Sequence, residues 1–212
     1  MPKERDIAMI PVRRAPEPAN FDADVRQPGI AWLKSHPKAM PSKFKSFWTK
    51  CIPDLALAYN HICAYLAIYF DRPLGADSVD HFIPKSNSAI GRQMTYEWDN
   101  YRLSCIGKNR KKGTKILPID PFTMQPESFF IDFSDGRIYV NPSILPVRYR
   151  EDCDETIKIL KLDEQDCRDM RKNFYSDYVN GDVSARYMQS HAPFVWHEIC
   201  RQGLQRTAAD TP

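Results

Sequence analysis

Proline sets the first limit on this chain. Eight of the 17 prolines lie within the first 53 residues. Each fixes φ and removes a backbone donor, so neither a long uninterrupted helix nor a central strand is expected there. Pro11, Pro16, Pro18 and Pro28 break up a stretch with no sustained periodicity, and residues 1–28 read as an extended or disordered arm. After Pro41, Phe44, Phe47, Trp48 and Cys51 recur at helical spacing until Pro53, which interrupts that helix and can start another through Leu55 and Tyr59. Residues 29–62 are therefore expected to hold short helices.

With 212 residues and 42% of them apolar, the chain can bury one sizeable core, and collagenous, mucin-like and wholly disordered readings are excluded. The net charge of +3 is too small to argue for nucleic acid, so any such argument must rest on local clustering. The longest uncharged run, Leu55 to Phe70, is 16 residues long and carries Asn60 and His61. That falls short of the ~20 apolar residues that span a bilayer. Met1 to Arg14 lack the apolar stretch of a secretory signal, so no membrane contact and a cytoplasmic location are expected. Six cysteines are scattered without a Cys-x-x-Cys pair, which reads as buried thiols rather than a disulfide framework or a zinc site.

The rest of the chain mixes strand and helix signals and gives an α+β expectation. Cys63 to Phe70 is rich in β-favouring side chains and, across Arg72-Pro73-Leu74-Gly75, is expected to pair with Ser78 to Phe82 as a hairpin. Residues 84–98 read as a long loop, and Cys105 to Lys112 as a helix stopped by Gly113. Ser134-Asp135-Gly136 marks a second hairpin between Ser128–Phe133 and Arg137–Val140. Asp163 is expected to cap a helix carrying Cys167, Met170, Phe174 and Tyr178, with Asn180-Gly181 as its stop. Ser190 is expected to cap a last helix carrying Phe194, Val195, Ile199 and Leu204.

The chemistry concentrates in three strings: Ser78-Val79-Asp80-His81-Phe82-Ile83-Pro84-Lys85-Ser86, Trp98-Asp99-Asn100, and Lys108-Asn109-Arg110-Lys111-Lys112-Gly113. Eighteen residues separate His81 from Asn100, and eight separate Asn100 from Asn109. Phosphodiester hydrolysis needs an activated water, charge on the phosphoryl oxygens and a cationic surround. His81 is the residue type for the base, and Asp80 faces the other side of the same strand. Asn109 offers a hard oxygen that suits Mg²⁺ or Mn²⁺. From Arg102 to Lys115 six basic residues occur with no acid among them, and this run is expected to face phosphates.

This order and spacing resemble the HNH nucleases over about residues 63–115. The resemblance implies a ββα-metal unit wrapped by N-terminal helices and, over 116–212, by a C-terminal hairpin and helices. It makes His81 the general base, Asn100 the organiser of the loop, and Asp80 and Asn109 the ligands of Mg²⁺ or Mn²⁺. Lys85, Arg110, Lys111 and Lys112 become the phosphate contacts. Related proteins often carry two Cys-x-x-Cys pairs holding a structural zinc. Here Leu66 and Lys108 stand where the second cysteines would be, and the two remaining thiols, Cys63 and Cys105, are too few for a closed site, so no structural zinc is expected.

The strings Pro118-Ile119-Asp120-Pro121, Gly136-Arg137-Ile138 and Leu160-Lys161-Leu162 look like the HNH component of Septu-type anti-phage systems. That likeness implies nucleic acid as substrate, DNA ahead of RNA, and an ATPase partner subunit. The Phe44-Phe47-Trp48 and Phe194-Val195-Ile199 faces are candidate docking surfaces, with core packing the commoner fate of such stripes. A toxin-like ribonuclease and a nucleic-acid-binding subunit with a silent site are the rival readings. His36, His61, His191, His197 and Cys200 read as structural, and Tyr96, Trp98 and Tyr101 as packing for the loop.

Overall fold

The computed structural model describes residues 12–71 and 77–207. They form an α+β chain that divides into two compact units. One unit is drawn from Arg13–Tyr65 and Phe70–Leu117, the other from Leu66–Tyr69 and the chain beyond Pro118.

The first unit begins earlier than the proline pattern implies. Residues 1–11 lie outside the described residues, but at Phe21 the chain enters a helix, first as a π-turn over Asp22–Arg26 and then as α1 (Gln27–Ser35). Pro28 follows the π-turn directly, inside a helical run that began at Phe21. Phe21, Val25 and Gly29 share the buried face. A Cβ on Gly29 would come within 2.2 Å of the Tyr96 ring. Alanine normally favours a helix over glycine by about 1 kcal/mol. Gly29→Ala is nevertheless expected to destabilise the chain by about 1–3 kcal/mol in a denaturant titration, because the ring behind it cannot retreat from a packed core.

Phe47–Cys51 is a 3-10 turn rather than an α-helix, and α2 (Ile52–Ala58) follows it directly with Pro53 in its first turn. Strand β1 (Asp77–His81) pairs antiparallel with β2 (Tyr101–Cys105), Val79 opposite Leu103 and Asp80 opposite Arg102. This corrects the expected hairpin: Cys63 to Phe70 forms turns, not the partner strand. The connection is not bare loop either, since it contains α3 (Ser88–Gln93) and 3-10 turns at Met94–Tyr96 and Trp98–Asn100. Helix α4 (Ile106–Lys112) leaves the end of β2 and packs back against both strands. The core gathers Phe21, Val25, Cys51, Leu55, Val79 and Leu103 around Tyr96, Trp98 and Tyr101. The N-terminal helices and the strand pair thus share one core.

The second unit holds the hairpin β3 (Phe129–Asp132) and β4 (Arg137–Val140), with Gly136 at positive φ in the turn. It also holds α5 (Val147–Leu160), α6 (Gln165–Asn180), α7 (Ala185–His191) and α8 (Pro193–Arg201). Gly181 ends α6 at positive φ as expected. Glu164 occupies the N-cap position, while Asp163 accepts from the Ile138 amide and pairs with Arg168. Ser190 is not a cap, because its hydroxyl bonds back to carbonyls within α7. Phe194, Val195 and Ile199 are core, and Glu198 of α8 accepts the Ile131 amide at 2.8 Å, which keys the helix to β3.

Candidate active site

The strand pair and α4 bring Asp80, His81, Asn100 and Asn109 into the first unit. Alternation along β1 turns the side chains of Ser78 and Asp80 to one face and those of Val79 and His81 to the other. Asp80 lies on the α4 side, where Lys112 and Asn109 reach back to the strand. His81 lies on the opposite side, its ring meeting Trp48 and Tyr101 edge to face at 4.8 and 5.2 Å between centroids.

One hydrogen bond fixes the tautomer of His81, and a second holds its acceptor. Its Nε2 is 3.0 Å from the Thr95 carbonyl, which only accepts, so Nε2 carries the proton. The neutral ring then has its lone pair on Nδ1. The Tyr101 hydroxyl donates to the same carbonyl at 2.9 Å, holding the acceptor in place. Burial, followed by the charge of Lys85, lowers the imidazole pKa to about 3, with Lys112 adding to the effect. The folded value thus lies below the ~6.5 of an exposed histidine, and the unfolded chain takes up the proton first. The contribution of His81 to stability is complete above pH ~6.5 and is lost as pH falls from there toward 3, at up to about 1.4 kcal/mol per unit. Urea titrations between pH 4 and 7 are expected to show this excess slope in the wild type and not in His81→Gln.

Asn100 is buried and bridges the connection between the strands. Its Oδ1 accepts the Ile83 amide at 2.7 Å, and its Nδ2 donates to the carbonyls of Ile83 and Met94 at 3.1 and 3.0 Å. The backbone adds Phe82 N–H to Asn100 O at 2.9 Å. The chain just after His81 is therefore tied to the start of β2 and to the turn that carries Thr95.

Asn109, on α4, donates through Nδ2 to Val79 O at 3.1 Å and to Ser78 Oγ at 3.0 Å, which fixes the amide and makes Oδ1 its remaining acceptor. Asp80 is almost fully buried. Its Oδ1 accepts from Lys112 Nζ at 3.0 Å, its Oδ2 accepts the Tyr65 hydroxyl, and Lys112 donates to His81 O at 2.7 Å. The Tyr65 hydroxyl has its pKa pushed well above the usual tyrosine range by burial and by that carboxylate.

The basic run does not face one way. Arg110, Lys111 and Lys115 are exposed, whereas Arg102, Lys108 and Lys112 are buried. Lys112 is therefore corrected from a phosphate contact to the counter-ion of Asp80. Lys85 is half-buried with its ammonium 4.0 Å above the Trp48 ring, and burial lowers its pKa. Tyr96, Trp98 and Tyr101 are core residues, as expected of packing groups. The two apolar faces assigned to a partner are also accounted for internally. Phe44 is buried, and Phe47 and Trp48 pack on the core of their own unit.

Sequence reasoning missed Thr95 and Tyr65, one acting through its carbonyl and the other drawn from a segment read as strand. Cys63 and Cys105 do meet, with sulfurs 3.9 Å apart. Among the described residues no group of three or more His, Cys, Asp or Glu side chains could hold a metal ion. The donor chemistry at Asp80 and Asn109 nevertheless suits a hard cation, and the Asp80 carboxylate already holds one in the form of an ammonium. Among the described residues no helix is long and apolar enough to cross a membrane. No family model and no curated protein matches the chain.

Proposed function

We propose that the chain is an HNH-type endonuclease that hydrolyses phosphodiester bonds of nucleic acid, DNA in preference to RNA, as the effector of an anti-phage complex with an ATPase subunit. The observation that carries this reading is the state of His81: neutral, its Nε2–H fixed on Thr95 O, in one strand–strand–helix unit with Asp80, Asn100 and Asn109. A base must be deprotonated and held in place, and this reading is supported by a ring that is neutral at neutral pH and fixed on Thr95 O. With a pKa near 3 it is a weak acceptor in the free chain. An incoming phosphate would raise that value by its charge, so basicity grows when substrate is in place.

Asn100 acts as a positioning residue by holding the segment after His81. Asp80 and Asn109 would hold Mg²⁺ or Mn²⁺, which would supply Lewis-acid charge at the phosphoryl oxygens. Arg110 and Lys111, exposed at the last turn of α4, and Lys85 in the turn after β1 supply positive charge for the backbone of the nucleic acid. The test is cleavage of supercoiled plasmid and of total RNA with Mg²⁺ or Mn²⁺. Divalent-dependent cutting of plasmid supports the reading, and cutting of RNA alone would make the chain a ribonuclease. One observation favours a silent site instead: the Asp80 carboxylate is already neutralised by Lys112. Binding of nucleic acid without cleavage under any divalent ion would select that alternative.

A further inference from the structure

A lysine and an aspartate buried as a pair are not explained by stability alone. Removing both charges from water costs several kcal/mol each, and an apolar pair of similar volume commonly serves as well or better. Here the Lys112 side chain is 0% exposed and that of Asp80 2%. Arg102 stands opposite Asp80 in the strand register and adds positive charge to the surroundings. The ammonium lies between Asp80 Oδ1 at 3.0 Å and His81 O at 2.7 Å, two hard oxygens of the kind that coordinate Mg²⁺ and Mn²⁺.

A divalent ion and an ammonium cannot both occupy that position. At a few ångströms, in a medium less polar than water, their repulsion is many kcal/mol. We propose that Lys112 is an exchangeable internal cation, which occupies the metal position at Asp80 in the free chain and must leave for a divalent ion to bind. The proposal rests on the reading of Asp80 as a metal ligand. Its consequence is charge control: the Asp80–Lys112 pair is neutral, whereas Asp80 with a divalent ion is positive and draws phosphate. The ammonium is carried on a flexible four-carbon stem with three rotatable donors.

The test is a Mn²⁺ titration of the whole chain, followed by the loss of the free-ion paramagnetic resonance signal, for wild type, Lys112→Gln and Asp80→Asn/Lys112→Gln. The expected result is weak binding by the wild type, binding tighter by about tenfold or more in Lys112→Gln, and loss of that gain in the double variant. Equal affinity in wild type and Lys112→Gln would overturn the proposal while leaving Asp80 a ligand. No binding by either chain would overturn the metal assignment itself, and the proposal with it. The wild type provides a second measurement that needs no substitution. Acetic anhydride labelling read by mass spectrometry is expected to spare Lys112 in metal-free protein and to modify it in millimolar Mn²⁺. Protection that persists in Mn²⁺, with the ion bound, would show that Lys112 does not leave.

Discussion

Asn100→Ala is expected to lower the free energy of unfolding by about 3 kcal/mol, a large loss for one polar side chain. The size follows from what is left behind. The Ile83 N–H and the Ile83 carbonyl lose the partner Asn100 gave them, while the Met94 carbonyl keeps only the Glu97 N–H at 3.4 Å. Each unsatisfied buried group costs about 1–3 kcal/mol. Asn100→Asp should be almost as damaging, because a carboxylate can still accept from Ile83 but repels the two carbonyls that the amide served. Urea denaturation gives the magnitude, and faster hydrogen exchange at the Ile83 amide locates it. A loss below about 1 kcal/mol for Asn100→Ala would mean that the connection between β1 and β2 is held by something else.

His81→Ala is expected to reduce divalent-dependent cleavage by about 10²–10⁴, the usual worth of a positioned general base. The acid limb of the kcat/KM profile, which reports the free chain, should also lie well below pH 6.5, since burial keeps the ring neutral far into acid. Removing the imidazole leaves Trp48 and Tyr101 facing a gap rather than an orphaned charge, so the loss of activity should exceed the loss of stability. Asn100→Ala, by contrast, should reduce both together.

The candidate site was legible where spacing and residue type suffice to single out residues. Asp80-His81, Asn100 and Asn109 could be singled out in order, and the strand character of Ser78–His81 and the helix ending at Gly113 are present in the fold. The partner strand was not legible. Cys63 to Phe70 has the stronger β-favouring composition, yet Tyr101–Cys105 takes the place because its Tyr101 and Leu103 join Val79 in the core. Propensity cannot choose between two short segments when long-range packing decides.

The basic run misled for a different reason. Its charges were counted as one surface, whereas helical geometry sends Lys108, Asn109 and Lys112 inward and Arg110 and Lys111 outward. The same period, applied to Phe21, Val25 and Gly29, would have placed a helix where Pro28 seemed to forbid one. Pro53, in the first turn of α2, shows that a proline marks a helix start as readily as a stop. The Thr95 carbonyl left no trace in the sequence, because any residue can supply a backbone oxygen.

The most direct test of the account is cleavage of supercoiled plasmid in Mg²⁺ or Mn²⁺ by wild type and by His81→Ala, each shown to be folded by circular dichroism. The account predicts nicked or linear product from the wild type, none with chelator, and a rate lower by about 10²–10⁴ for the variant. Equal cutting by a well-folded His81→Ala would contradict it, because the imidazole fixed on Thr95 would then have no part in the chemistry.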